Sequence, residues 1–105
     1  MVQTRSQTQL IKNYQEIQET FKEILNEAAE LNDLNLLQQL HENQLEFFTG
    51  ETMEIAVKNG NLEMVKWLFY SRPEYCLDEI EFYANTYNQE HIKNFANYSK
   101  YIIQY

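Results

Sequence analysis

The chain has 105 residues, 44% of them hydrophobic, with sixteen Asp and Glu against eight Lys and Arg and a formal net charge of −8. That length accommodates one domain, and the acidic balance argues against an electrostatic grip on nucleic-acid phosphates or anionic lipid while favouring a basic partner. A single cysteine, Cys76, excludes a disulfide framework within the chain, and no apolar run approaches the roughly 20 residues of a membrane-spanning helix.

Residues 1–7 are polar and carry no period, so a disordered start is expected there. Met1 to Ser6 also lack the apolar core of a signal peptide, which makes the expected location intracellular, cytoplasmic with the nucleus left open. From Thr8 onward Leu10, Tyr14, Ile17, Phe21, Ile24, Ala28 and Leu31 are spaced alternately by four and three, the pattern of an amphipathic helix. Such a stripe can be a coiled-coil seam between two chains or a helix over residues 8–22 that caps the end of a stack. The cap is favoured, because Tyr14, Phe21 and Ala28 are poor seam residues.

A first helix–turn–helix unit is expected over 23–50, with Asn32-Asp33 as its turn and Leu34, Leu36, Leu37 and Leu40 on its second helix. Leu45, Phe47 and Phe48 read as an apolar anchor beneath the next unit, and Gly50 marks the join. The second unit, 51–76, is the clearest. Met53, Ala56 and Val57 recur at helical spacing, Asn59-Gly60-Asn61 interrupts, and Leu62, Met64, Val65, Leu68 and Phe69 resume the period until Arg72-Pro73 stops it. Cys76 reads as a small buried residue. A third unit, 77–105, starts with Asp78 as helix cap, continues with Ile80, Tyr83 and Ala84, turns at Asn88-Gln89 and ends in a helix from about Glu90.

Sliding the chain against itself by about 28 residues aligns these units. Ala28, Ala56 and Ala84 share a column, as do Glu23, Glu51 and Glu79, then Leu36, Met64 and Ile92, then Leu40, Leu68 and Ala96. The turn column reads Asn32, Gly60, Asn88, all residues that tolerate a left-handed backbone. Lys93 breaks the pattern in the column of Leu37 and Val65, as a terminal unit facing water would.

The run Ala56-Val57-Lys58-Asn59-Gly60-Asn61-Leu62-Glu63-Met64-Val65-Lys66-Trp67-Leu68 resembles the AAxxGHLEVVKxL segment of an ankyrin repeat. Lys66-Trp67-Leu68 followed by Ser71 to Cys76, with Leu40-His41-Glu42-Asn43 one unit earlier, is similar to a shortened subtype with a VKWLHENRxxGC pattern known from protist and giant-virus repeat proteins. Glu51-Thr52-Met53-Glu54 departs from the family's Thr-Pro-Leu-His opening, and the short period leaves little room for the family's β-hairpin finger. The resemblance implies an all-α fold: a short α-solenoid of about three ankyrin-like repeats that binds another protein through helical surfaces.

Little in the sequence offers chemistry. His41 and His91 stand about 50 residues apart with no zinc-type spacing, and both read as exposed helix residues. Two glycines cannot build a phosphate-cradling loop, and Cys76 has the acidic neighbours Glu74, Asp78 and Glu79, which oppose a reactive thiolate. No catalytic residue, cofactor or metal is expected. The expected function is that of a non-catalytic protein–protein interaction module, monomeric or homodimeric, with Trp67, Tyr70, Tyr98, Tyr101 and Tyr105 as candidate partner-binding residues, since rigid aromatics give contact area at low entropic cost. Two other readings stand beside it: a homodimeric assembly protein using the Leu10 to Leu31 stripe or the tyrosine-rich end, and a decayed fragment of a longer repeat protein.

Overall fold

The computed structural model describes the backbone of residues 2–43, 49–72 and 75–103, and the side chains of residues 8–43, 49–72 and 75–102. Leu45, Phe47, Phe48, Pro73 and Tyr105 lie outside the described residues, and with them the apolar anchor expected ahead of Gly50. Among the described residues all regular structure is helical, in six elements: α1 (Val2–Glu30), α2 (Leu34–Glu42), α3 (Gly50–Lys58), α4 (Leu62–Ser71), α5 (Leu77–Thr86) and α6 (Glu90–Ile103). Successive helices pair as α1 with α2, α3 with α4 and α5 with α6, and α3 packs between α1 and α5 while α4 lies against α6.

The turns inside these pairs are built alike. Asn32, Gly60 and Asn88 have φ of 55°, 73° and 57° and are the positive-φ residues among those described. In each turn the left-handed residue and its successor donate backwards to the carbonyls that the ending helix leaves unsatisfied. Asp33 N donates to Ala28 O at 2.8 Å, Asn61 N to Ala56 O at 3.0 Å and Gln89 N to Ala84 O at 2.9 Å, so the three alanines of one column are also the three acceptors. The residue after the left-handed position then starts the next helix: the Asp33 side chain accepts from Leu36 N at 3.1 Å.

The core follows the same register. Ala28, Ala56 and Ala84 are buried, as are Leu25 and Met53, Ala29 and Val57, Leu37 and Val65, Met64 and Ile92, and Leu40, Leu68 and Ala96. In the last pair three of these columns turn polar: Glu81 follows Leu25 and Met53, Asn85 follows Ala29 and Val57, and Lys93 follows Leu37 and Val65. Asn85 is exposed, and Glu81 and Lys93 are half-buried. Polar links tie neighbouring pairs together. Thr52 Oγ1 donates to Asn26 Oδ1 at 2.9 Å, Tyr75 OH to Thr49 O at 2.6 Å, Tyr87 OH to Glu54 Oε2 at 2.6 Å and Gln89 Nε2 to Lys58 O at 2.9 Å.

Several expectations need correction. Residues 2–7 are the first turns of α1, not a disordered start, since Gln and Arg extend a helix without any apolar period. Residues 8–22 form no separate cap: α1 runs unbroken, and its 29 residues span about 43 Å, whereas the 9-residue α2 and α3 reach only about 14 Å each. They cover the end of α1 that holds Leu25, Ala28 and Ala29, and leave Leu10, Ile11, Tyr14 and Ile17 between 50% and 66% exposed. Cys76 is exposed, not buried: it is the extended N-cap residue ahead of α5 and its side chain makes no capping hydrogen bond. Asp78 lies inside that first turn and caps nothing; its carboxylate meets Lys100. His41 is half-buried, edge-on to the Trp67 ring at 5.5 Å.

Candidate functional site

The side-by-side packing of α4 and α6 brings two equivalent helix faces together. Tyr70 and Tyr98 occupy one column of the 28-residue register, and Trp67 and Phe95 another. On α6, Phe95, Tyr98 and Ile102 follow at intervals of three and four and form one stripe. On α4, Phe69 and Tyr70 stand three and four residues after Lys66 and share its side of the helix. Between the two faces lies an open groove of about 490 Å³ lined by these six side chains and floored by the buried Ser99.

The groove is aromatic and its rings brace one another. Phe69 lies edge-on to Phe95 at 6.2 Å, Tyr70 edge-on to Phe95 at 6.3 Å, and Phe69 against Tyr70 at 5.3 Å. Such edge-to-face contacts match positive ring edges to negative ring faces and hold the rings without filling the space above them. Tyr70 is 71% and Tyr98 67% exposed, so both present rings and hydroxyls to solvent. The Lys66 ammonium sits 5.8 Å from the centre of the Phe95 ring, within cation–π reach.

The candidate residues therefore divide. Tyr70 and Tyr98 line the groove together. Trp67 does not line it: the ring is half-buried, packs on the core and meets His41 on the side of α2. Tyr101 is 65% exposed beside the groove and is not part of its lining, and Tyr105 lies outside the described residues. Lys66, Phe69, Phe95 and Ile102 were missed as site residues. The shared column of Tyr70 and Tyr98 was a usable signal, because equivalent residues of adjacent units lie side by side.

Charge is distributed unevenly between the first and second helices of the pairs. The helices α1, α3 and α5 carry ten carboxylates and four basic side chains, while α2, α4 and α6 carry three of each. Titration is perturbed on the acidic helices. Burial, then the hydrogen bond to Glu79 at 3.1 Å, pushes the Tyr83 hydroxyl up to about 12. The hydrogen bond to Glu54 raises Tyr87 as well. Lys100, on α6, reaches across to Asp78 and Glu81 of α5, and these two carboxylates raise its pKa.

A second apolar surface lies on α1, where Leu10, Ile11, Tyr14 and Ile17 continue the helix face that further along is buried at Leu25, Ala28 and Ala29. Among the described residues no group of three or more His, Cys, Asp or Glu is placed to hold a metal ion, and no helix is long and apolar enough to cross a membrane. Comparison of the chain with known protein families, curated proteins and solved structures finds no match.

Proposed function

We propose that this chain is a short ankyrin-type α-solenoid of about three repeats that acts as a non-catalytic protein-binding module through the groove between α4 and α6. The solenoid reading is supported by the three equivalent turns at Asn32, Gly60 and Asn88 and by the packing of α3 between α1 and α5. The observation that carries the binding reading is the pair of exposed tyrosines, Tyr70 and Tyr98, beside rings that already touch one another. Preorganised aromatics lose little entropy on association, which is why such residues dominate interface energetics. The test is quantitative affinity capture with the wild type and a Tyr70→Ala, Tyr98→Ala variant of matched helix content. The reading fails if every captured protein binds both equally.

The net charge favours a basic partner, and such a partner would meet the carboxylate-rich helices α1, α3 and α5 and not the groove. A second reading, assembly into a homodimer, is favoured by the exposed Leu10, Ile11, Tyr14 and Ile17. Light scattering at two concentrations tests it with a Leu10→Glu, Ile17→Glu variant. A dimer that survives those charges rules out the α1 surface as its seam.

A further inference from the structure

We infer that the α4/α6 groove takes an apolar segment of a partner protein that carries a carboxylate, and that Lys66 receives the carboxylate. The inference rests on the protein-binding reading and specifies the chemistry of its ligand. It starts from the charged side chain in the lining. Among the described residues of the lining Lys66 is the only formally charged one, and none of them is a carboxylate.

Two other lysines of this chain are held by its own carboxylates, while Lys58, like Lys66, lies over a ring, that of Tyr87 at 5.9 Å. Lys100 is held by Asp78 and Glu81, and Lys22 meets Glu19 at 3.3 Å. Lys66 makes no ion pair among the described residues, although Glu63 stands one helical turn before it. Its ammonium rests instead over the Phe95 ring, half-buried at the groove wall. An ammonium so placed lies beside apolar surface that a partner would cover, where water is excluded and an unpaired charge costs more than in solvent. An occupant without an anion would desolvate Lys66 with nothing in return; an occupant with one would replace the lost water by a charge-assisted hydrogen bond.

The long-range field permits this choice. The helices that form the groove belong to the set, α2, α4 and α6, with equal numbers of acidic and basic side chains, and the excess carboxylates lie on the other three helices. With screening over about 8 Å at physiological salt, carboxylates farther than that from the groove act weakly on it. The net charge of −8 is thus a poor guide to this groove, whose own charge is positive. Its length sets the size of the ligand. Phe95 to Ile102 spans two helical turns, about 10 Å, enough for two or three large apolar side chains with the carboxylate at the Lys66 end.

The test uses the full chain and a random-peptide display library. Enriched peptides are synthesised and titrated by fluorescence anisotropy against the wild type, Lys66→Glu and Tyr98→Ala, each checked for unchanged helix content and melting temperature. The expected result is peptides that combine Leu, Ile, Phe or Trp with Asp or Glu. Each substitution should weaken them at least about tenfold, and exchanging the peptide acid for Lys should restore binding to Lys66→Glu. Peptides that need Tyr98 but bind Lys66→Glu as well as wild type would overturn the carboxylate while leaving the groove as a binding site. Peptides indifferent to Tyr98→Ala, or no enrichment, would overturn both. Self-association abolished by Tyr98→Ala would assign the groove to a second copy and overturn the inference too.

Discussion

Gly60→Ala is the substitution that tests most directly how the turns hold the fold. Gly60 has φ of 73°, and a Cβ added there would lie 2.9 Å from Oε1 of Gln89, whose amide nitrogen donates to the Lys58 carbonyl at 2.9 Å. Holding alanine in the left-handed region costs roughly 1–2 kcal/mol, and displacing Gln89 forfeits a partly exposed hydrogen bond of about 0.5–1 kcal/mol. The stiffer unfolded chain returns about 0.5 kcal/mol. The net loss is about 2 kcal/mol, a melting-temperature drop of about 8–16 °C for a domain of this size. Urea titration and thermal melts of Gly60→Ala, Gln89→Ala and the double variant would separate strain from contact. In the double variant the contact is gone, so the two losses should add to more than the measured total by about 0.5 kcal/mol. Asn32→Gly and Asn88→Gly, at the same backbone position, should change stability by less than about 0.5 kcal/mol. A Gly60→Ala loss below about 0.5 kcal/mol, or an Asn88→Gly loss as large as that of Gly60→Ala, would refute the argument.

Further outcomes follow from the packing and the charges. Ala56→Leu adds three carbons to a fully buried site and should cost about 1–3 kcal/mol by overpacking, read as a lower urea midpoint with unchanged slope. Tyr83 has a folded pKa raised above its ordinary value of 10.0 to about 12, so the neutral hydroxyl is favoured in the folded state. Its contribution is complete below pH 10 and is lost as pH rises through about 12; Tyr83→Phe should flatten the fall in melting temperature across that window. Hydrogen exchange should be fast at residues 9–18 of α1, which lack tertiary cover, and slowest between Met53 and Leu68; equal protection of both would show that the α1 surface is covered in solution.

Much of this architecture was readable before any coordinates, and the reason differs from feature to feature. The turns were legible because left-handed backbone restricts composition so severely that Asn32, Gly60 and Asn88 could be aligned on chemistry alone. The alanine column was legible because a small residue at each helix end recurs where two helices meet. The fate of the Leu10, Tyr14 and Ile17 stripe was not, since periodicity states which face is apolar and says nothing about whether another element is long enough to cover it. Trp67 misled for a related reason: an aromatic ring in a helix suits a wall between helices as well as an interface, and only the half-buried His41 beside it shows which applies. Lys66 gave no signal in sequence, because its place over a ring depends on Phe95 standing 29 residues away on a neighbouring helix.

The polar residues at the last pair also disfavour the burial of that surface beneath a further hairpin of the same kind. A fourth hairpin stacked beyond α5 and α6 would close over Glu81, Asn85 and Lys93, the positions at which earlier pairs offer leucine, methionine, alanine or valine. Asn85 and Lys93 sealed away from water without partners would cost several kcal/mol, while Glu81 already has Lys100 as its partner. Reverting the three to the residues of the preceding unit, Met, Val and Val, would turn this end into a sticky edge that accepts another unit in register. None of the three positions lies in the groove.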